Sequence, residues 1–450
     1  MHVYDALTDD LAQRIFTYAL ERIRLDPPPL DGPRSPQELS ELVGRTITAQ
    51  GIGGQRALEL FAQVLAPSNI SVDHPRFWAF VAAAPTEAAT LFDLVVGASS
   101  LFGGSWLEGA GSTYAENQAL RWLADLAGLP DEAGGVFVSG GTAGNLSALV
   151  AARHAWRGKN PANAGARGLI AASSSVHSSV RTAARVMDVD VVDVPADERG
   201  RLTGHALRIA LADVDVDDLI AIVATAGSTN VGVVDDLAGA AEVATEVDTW
   251  LHVDGAYGGA ALMAPRLRRL FDGVERADSF IVDPHKWLFA PYDCCALLYR
   301  DPQLARAAHA QKAEYLDVLH EAGEWNPSDY AIHLTRRARG MPLWFSLATY
   351  GTDAYREAIE MTLALTGEVA HLVDRLDHVE LCLRPELSVI VLRRLGWKPI
   401  DYQRWCDRTL RDQIAFVVPS SWKNETVLRL CFVNPRTTID DVAEVLETLR

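Results

Sequence analysis

Lys286 sits directly after His285, with apolar runs on both sides: Ser279-Phe280-Ile281-Val282 leads in and Trp287-Leu288-Phe289 leads out. Lysine is seldom buried without a partner. One embedded between strand-like residues either snorkels, with its stem buried and its head in water, or is a desolvated amine whose lowered pKa suits it to form a Schiff base. Three other features also follow short apolar runs. Gly140-Gly141-Thr142 comes after Val136-Phe137-Val138, His177 after Leu169-Ile170-Ala171-Ala172, and Asp254 after Leu251-His252-Val253. Each has an ordinary explanation: a steric turn for the glycines, a polar surface role for the histidine, a helix cap for the aspartate.

Taken together they match one requirement. Pyridoxal phosphate needs a phosphate cradle, a lysine, and a carboxylate at its pyridine nitrogen. A glycine-rich helix start offers unobstructed amides to a phosphate. Asp254 supplies the carboxylate, a planar residue such as His177 stacks on the ring, and the small Gly255-Ala256 pair allows a flat ring to approach closely. Asp254 precedes Lys286 by 32 residues, which leaves room for one crossover helix and a strand.

The elements between these residues explain how they meet. From residue 135 to 299 short apolar strands alternate with helical segments, which predicts an α/β fold with a mostly parallel sheet covered on both faces. Ligands bind outside the carboxyl ends of such strands. We expect a helical N-terminal arm over residues 1–73, with a helix over Ala6 to Ile23, a Pro-rich connector, a capped start at Ser35-Pro36-Gln37-Glu38 and a helix over Gln55 to Leu65. A large domain over 74–350 follows, then a long helix from Pro342 with a break near Gly351. A smaller α+β domain over 351–450 has strands at Val379 to Leu383, Ser388 to Leu392, Ala415 to Val418 and Thr426 to Phe432.

The totals exclude several classes. A net charge of −18 over 450 residues argues against nucleic acid and anionic membrane surfaces as partners. The five cysteines form no C-x-x-C pair and no zinc spacing, so no metal is expected and the thiols suit a reducing cytoplasm. The N-terminus lacks the pattern of a signal peptide, and no apolar run reaches the length of a membrane span.

H-V-D-G-A-Y (His252 to Tyr257) followed by D-P-H-K-W-L (Asp283 to Leu288) resembles the group II pyridoxal-phosphate decarboxylases, which include aromatic-L-amino-acid, histidine and glutamate decarboxylases. H-P-R-F-W-A-F (His74 to Phe80), G-G-S-W-L-E (Gly103 to Glu108), A-T-A-G-S-T (Ala224 to Thr229) and L-R-L-C-F-V-N-P-R-T-T (Leu428 to Thr438) extend the similarity over most of the chain. The resemblance implies a type I, aspartate aminotransferase-like fold and a homodimer with its active site at the subunit interface, where the partner's Phe102 would take part. Lys286 would anchor the cofactor and Asp254 would pair with the pyridinium. Ala256 would lie against the ring, and His177 would stack on the other face and help place the substrate carboxylate. Gly140, Gly141, Thr142 and His285 would surround the phosphate, with Asp283 where animal relatives carry Asn, and Thr229 would sit near the phenolic oxygen.

Two departures qualify this pattern. The family's mobile loop, here roughly Ala308 to Tyr330, carries a Tyr that returns a proton to Cα. Counted back from Arg336-Arg337, its position falls on Pro327; either the loop is built differently and Tyr330, three residues later, serves as donor, or the donor is gone. Gly104 stands where animal enzymes have Phe and, with Ala82, Ala83 and Ala84, reshapes the pocket. We expect decarboxylation of an L-amino acid to the amine and CO2. An aromatic substrate is favoured, contacted by Trp78, Phe80, Phe102, Gly104 and Trp106. The alternatives are an aldehyde-forming decarboxylase-oxidase, a carbon–carbon lyase, or a non-catalytic scaffold that inherited the fold.

Overall fold

The computed structural model describes residues 2–81, 84–159, 163, 165–311 and 324–450. Seven strands form the main sheet: β1 (Gly134–Val138), β2 (Leu169–Ser173), β3 (Asp190–Val194), β4 (Leu219–Thr225), β5 (Trp250–Asp254), β6 (Ser279–Val282) and β7 (Cys295–Tyr299). Their order is β1-β7-β6-β5-β4-β2-β3. Only β7 runs antiparallel to its neighbours; the other pairs are parallel. The central strands are continuous apolar runs because helices cover both faces, and every residue of β4, β5, β6 and β7 is buried. Successive side chains feed opposite cores: Val136, Val138 and Ile281 pack into one, Phe137, Phe280 and Val282 into the other.

A second sheet holds β8 (Val379–Leu381), β9 (Val389–Arg394), β10 (Pro419–Trp422) and β11 (Glu425–Cys431) in the order β10-β11-β9-β8, all antiparallel. The long helix Met341–Val373 leads into it and breaks at Gly351, where φ is +76°. A Cβ at Gly351 would meet nothing within 4 Å, so only the left-handed backbone calls for glycine there.

Two expectations shift. Residues 76–79 join the C-terminal unit: Trp78 N and Ala79 N donate to Phe416 O (3.0 and 3.1 Å), and Cys431 N donates to Trp78 O (3.0 Å). Ala415 to Val418 is not a ladder strand. It makes a single bridge, Phe416 to Phe77, because its buried side chains pack against residues 77–79, and the more polar Pro419–Trp422 pairs with β11 instead.

The arm helix Ala6–Ile23 buries none of its residues, and Leu7, Phe16 and Leu20 are exposed. Ser35 and Glu38 form a reciprocal capping box. The helix at Gly54–Leu60 widens into a π turn over Phe61–Leu65. Among the described residues no helix is long and apolar enough to cross a membrane.

A buried ion pair ties the layers together. Arg336 Nη1 and Nη2 reach the two carboxylate oxygens of Glu116 at 2.8 and 3.0 Å, and Gly340 N donates to Glu116 Oε1 at 2.7 Å. Removing one member of such a pair strands the other charge. Glu116→Ala should therefore lower stability by roughly 3–5 kcal/mol, read from the denaturation midpoint. An unchanged midpoint would show that the pair is dispensable.

Candidate active site

The carboxyl ends of β1, β2, β4, β5 and β6 open onto one cavity of about 280 Å³. Its walls include Gly140, Gly141, Thr142, His177, Thr229, Asp254, Ala256, Asp283, His285 and Lys286. The sheet places them: each follows its strand by a few residues, and parallel strands end on one edge. After β1 the chain turns through Ser139-Gly140 into the helix Gly141–Lys159. After β2, His177 caps the helix Ser178–Met187, its ring nitrogen Nδ1 accepting from Ser179 N at 3.3 Å. Asp254 ends β5, and Lys286 lies in the turn after β6.

Lys286 Nζ is 2.7 Å from Asp283 Oδ2, and the Asp283 side chain is only 2% exposed. Burial pulls the Lys286 amine down, but the Asp283 carboxylate beside it more than offsets this, so its pKa lies above the ordinary lysine value. This corrects the expectation of a lowered amine. Burial likewise pushes the Asp283 carboxyl up, and the Lys286 charge pulls it below the usual value. His285 is held down by burial, and its Nδ1 lies 2.6 Å from the Cys294 carbonyl oxygen. Asp254 accepts from Asn145 Nδ2 at 2.8 Å and from Ala256 N at 3.1 Å.

These residues fit pyridoxal phosphate. A Cβ on Gly141 would lie 3.2 Å from both Ala256 Cβ and Asp283 Oδ2, a tight approach that glycine avoids. The first turn of the helix beginning there has amides without intrahelical partners, which suit a phosphate. The volume is near the lower end of the roughly 300–1,000 Å³ of small-molecule clefts. A lysine with a buried counter-ion and a carboxylate fixed on both oxygens complete the donor set.

The other expected residues lie elsewhere. Trp78 is 1% exposed in the C-terminal core, its Nε1 donating to Pro75 O at 2.8 Å and its ring edge-on to Phe432, so it is structural and not a substrate contact. Phe80, Phe102, Gly104 and Trp106 do not line the cavity of the single chain. The Phe102 ring crowds Gly104, where a Cβ would meet it at 2.5 Å. Tyr330 is 3% exposed and stacks on Trp325 with ring centroids 4.0 Å apart. Burial pushes its hydroxyl up to about 12, and it does not line the cavity. Residues 312–323, the middle of the expected loop, lie outside the described residues, as do Ala82 and Ala83. Sequence reasoning missed Ser139, Asn145, Thr225, Gly227, Tyr257 and Tyr292, which also line the cavity. Asn145 stands one turn into the helix that the glycines open, a position that local sequence could have flagged.

A family model described as the pyridoxal-dependent decarboxylase conserved domain matches residues 36–394. An aromatic-L-amino-acid decarboxylase of Bacillus atrophaeus is 30% identical over 393 residues, covering 84% of this chain and 81% of that protein. An L-2,4-diaminobutyrate decarboxylase of Acinetobacter baumannii is 26% identical, covering 91% of this chain and 86% of its own. Among solved structures, an Oryza sativa protein described as TDC with PLP and tryptamine superposes with a TM-score of 0.92 at 24% identity, covering 100% of this chain and 98% of that one.

The ion pair predicts how the lysine titrates. A charge within a few ångströms shifts a neighbour's pKa by roughly 1–3 units. Asp283→Asn removes the group that raises Lys286 and leaves burial to lower it. The pH midpoint for labelling Lys286 in the cofactor-free protein with an amine-selective reagent should then fall. An unmoved midpoint would mean that Asp283 does not control the amine.

Proposed function

The chain belongs to the family of pyridoxal-dependent decarboxylases, and from this we propose that it converts an aromatic L-amino acid to its amine and CO2, with Lys286 as the cofactor's anchor. The convergence of Lys286, Asp283, Asp254 and His177 on one cavity is the observation that carries the assignment of roles. Pyridoxal phosphate supplies a carbonyl that condenses with amines and a ring that accepts the electron pair left when CO2 departs. Asp254, fixed by Asn145 and the Ala256 amide, keeps a proton at the ring nitrogen. The Gly141 and Thr142 amides would bind the phosphate, with Gly140 and His285 beside them, and Thr229 would sit near the phenolic oxygen. Asp283 pairs with the Lys286 ammonium and holds it at the cavity wall. His177 would stack on the ring and orient the substrate carboxylate.

The aromatic preference is supported by the Bacillus relative and by the aromatic side chains Phe80, Phe102 and Trp106 outside the single-chain cavity. We infer a homodimer in which the arm's exposed apolar face is covered and the partner's Phe102 completes each site. The five unpaired cysteines support a cytoplasmic setting. A second reading, aldehyde formation, is favoured by one observation: Tyr330, the candidate proton donor, is packed against Trp325. That reaction would consume O2 and water and release aldehyde, CO2, ammonia and peroxide.

A panel of L-amino acids scored for CO2, amine and peroxide tests these readings. We expect CO2 and amine in equal amounts from an aromatic substrate, and loss of both the yellow colour and the activity in Lys286→Ala. Turnover of diaminobutyrate or acidic amino acids alone would overturn the aromatic assignment, and stoichiometric peroxide would establish the aldehyde-forming reaction. Light scattering should give twice the chain mass of 48.9 kDa. Phe16→Asp should shift it towards the monomer and lower activity with it.

A further inference from the structure

Asn145 is buried at the centre of a hydrogen-bond chain that links three elements of the cavity wall. Its Nδ2 is 2.8 Å from Asp254 Oδ2 and 2.8 Å from Ser179 Oγ, while its Oδ1 is 2.7 Å from His252 Nε2. His252 Nδ1 lies 2.8 Å from Ser279 Oγ, and Trp250 Nε1 donates to the same oxygen at 2.8 Å. At the other end, Ser179 Oγ is 2.7 Å from His177 Nδ1.

The chemistry of the partners sets the direction of every bond. A carboxylate only accepts, so the atom of Asn145 facing Asp254 is the amide nitrogen. Its two N–H groups go to Asp254 and Ser179. The amide oxygen then accepts, so His252 donates from Nε2. Indole N–H only donates, so Ser279 Oγ accepts from Trp250 and gives its own proton to His252 Nδ1. Burial, which pushes His252 down to about 4, keeps the ring neutral, so with its proton on Nε2 the ring accepts from Ser279 at Nδ1. Ser179 Oγ accepts from Asn145 and gives its single proton to His177 Nδ1. The Ser179 amide points at the same nitrogen from 3.3 Å, so a proton on Nδ1 would face a second donor.

We propose that Asn145 is a positioning residue. Through one side-chain amide it holds the Asp254 carboxylate in place and, by way of Ser179, fixes His177 as the tautomer that carries its proton on Nε2. The cavity then faces an imidazole N–H donor whose orientation is locked to that of the carboxylate below it. The hydrogen-bond chain is a property of the protein; its effect on turnover rests on the decarboxylase reading above.

The test uses the loaded enzyme labelled with 15N-histidine, with the His177 signals identified by their loss in His177→Gln. The wild type should show a pyridine-like Nδ1 and a pyrrole-like Nε2 at both His177 and His252. Ser179→Ala should mix the His177 tautomers and leave His252 unchanged; Asn145→Leu should perturb both rings. With whichever amino acid is turned over, kcat should fall by about 10–100-fold, the loss usual when the partners that orient a site's ligating groups are removed, with KM changing by much less. Should Asn145→Leu fail to fold, Ser179→Ala decides alone. A His177 pattern unchanged by Ser179→Ala, or a wild-type His177 protonated on Nδ1, would overturn the proposal. Neither readout depends on which substrate is turned over, so failure here is distinct from failure of the decarboxylase assignment.

Discussion

An ammonium group in a water-poor cleft needs its counter-charge close by, and Asp283 answers that of Lys286 from three residues away in the chain. The turn after β6 is built around this contact. Asp283 N donates to Ala256 O at 3.0 Å, which docks the turn on the end of β5, and Lys286 N donates to Asp283 O at 2.9 Å. Trp287 and Leu288 then dive into the core, with Trp287 Nε1 donating to Thr362 Oγ1 at 3.0 Å. The apolar residues after the lysine are the anchor that holds its backbone still, so that the amine and the carboxylate meet at the edge of the sheet.

This pair also explains why the simplest argument about the lysine had the wrong sign. Burial alone lowers an amine's pKa, and that reasoning treats Lys286 as solitary. The neighbouring carboxylate reverses the net direction, which means that the amine's reactivity depends on where its proton goes and not on desolvation alone. The buried carboxylate holds the ammonium at the sheet edge, and because the pair lowers Asp283 as it raises Lys286, the proton stays on the amine while the pair is intact.

Much of the site was legible because a parallel sheet converts strand ends into neighbours. Gly141, His177, Asp254 and Lys286 are spread over 146 positions, yet each follows an apolar strand, and that alone predicts their convergence. The strand boundaries of β4, β6 and β7 were readable for the same reason: fully buried strands are unbroken apolar runs. What was illegible depends on contacts between distant segments. Trp78 sits in a motif-like stretch, but its indole N–H is satisfied by Pro75 and its ring by Phe432, and nothing local separates a core tryptophan from one that lines a pocket. Asn145 is marked locally only by its place one turn into the helix that the glycines open; its partners on β5 and the helix after β2 come from distant segments.

The distribution of residues separates two jobs. The groups that fit the cofactor lie within one chain on rigid strand ends, whereas the aromatic residues expected to choose the substrate lie outside that cavity. Phe80 shows how the two regions are joined. Its backbone is left-handed, with φ of +53°, a conformation that costs a non-glycine residue roughly 1–3 kcal/mol. Arg429, from the C-terminal sheet, donates to Phe80 O and, at 2.6 Å, to Thr229 O on the cavity rim. The guanidinium thus clamps the strained aromatic segment to the wall that carries Thr229. The position of Phe80 is set from the C-terminal sheet through Arg429, whereas Lys286, Asp283 and Asp254 are set by the ends of β5 and β6.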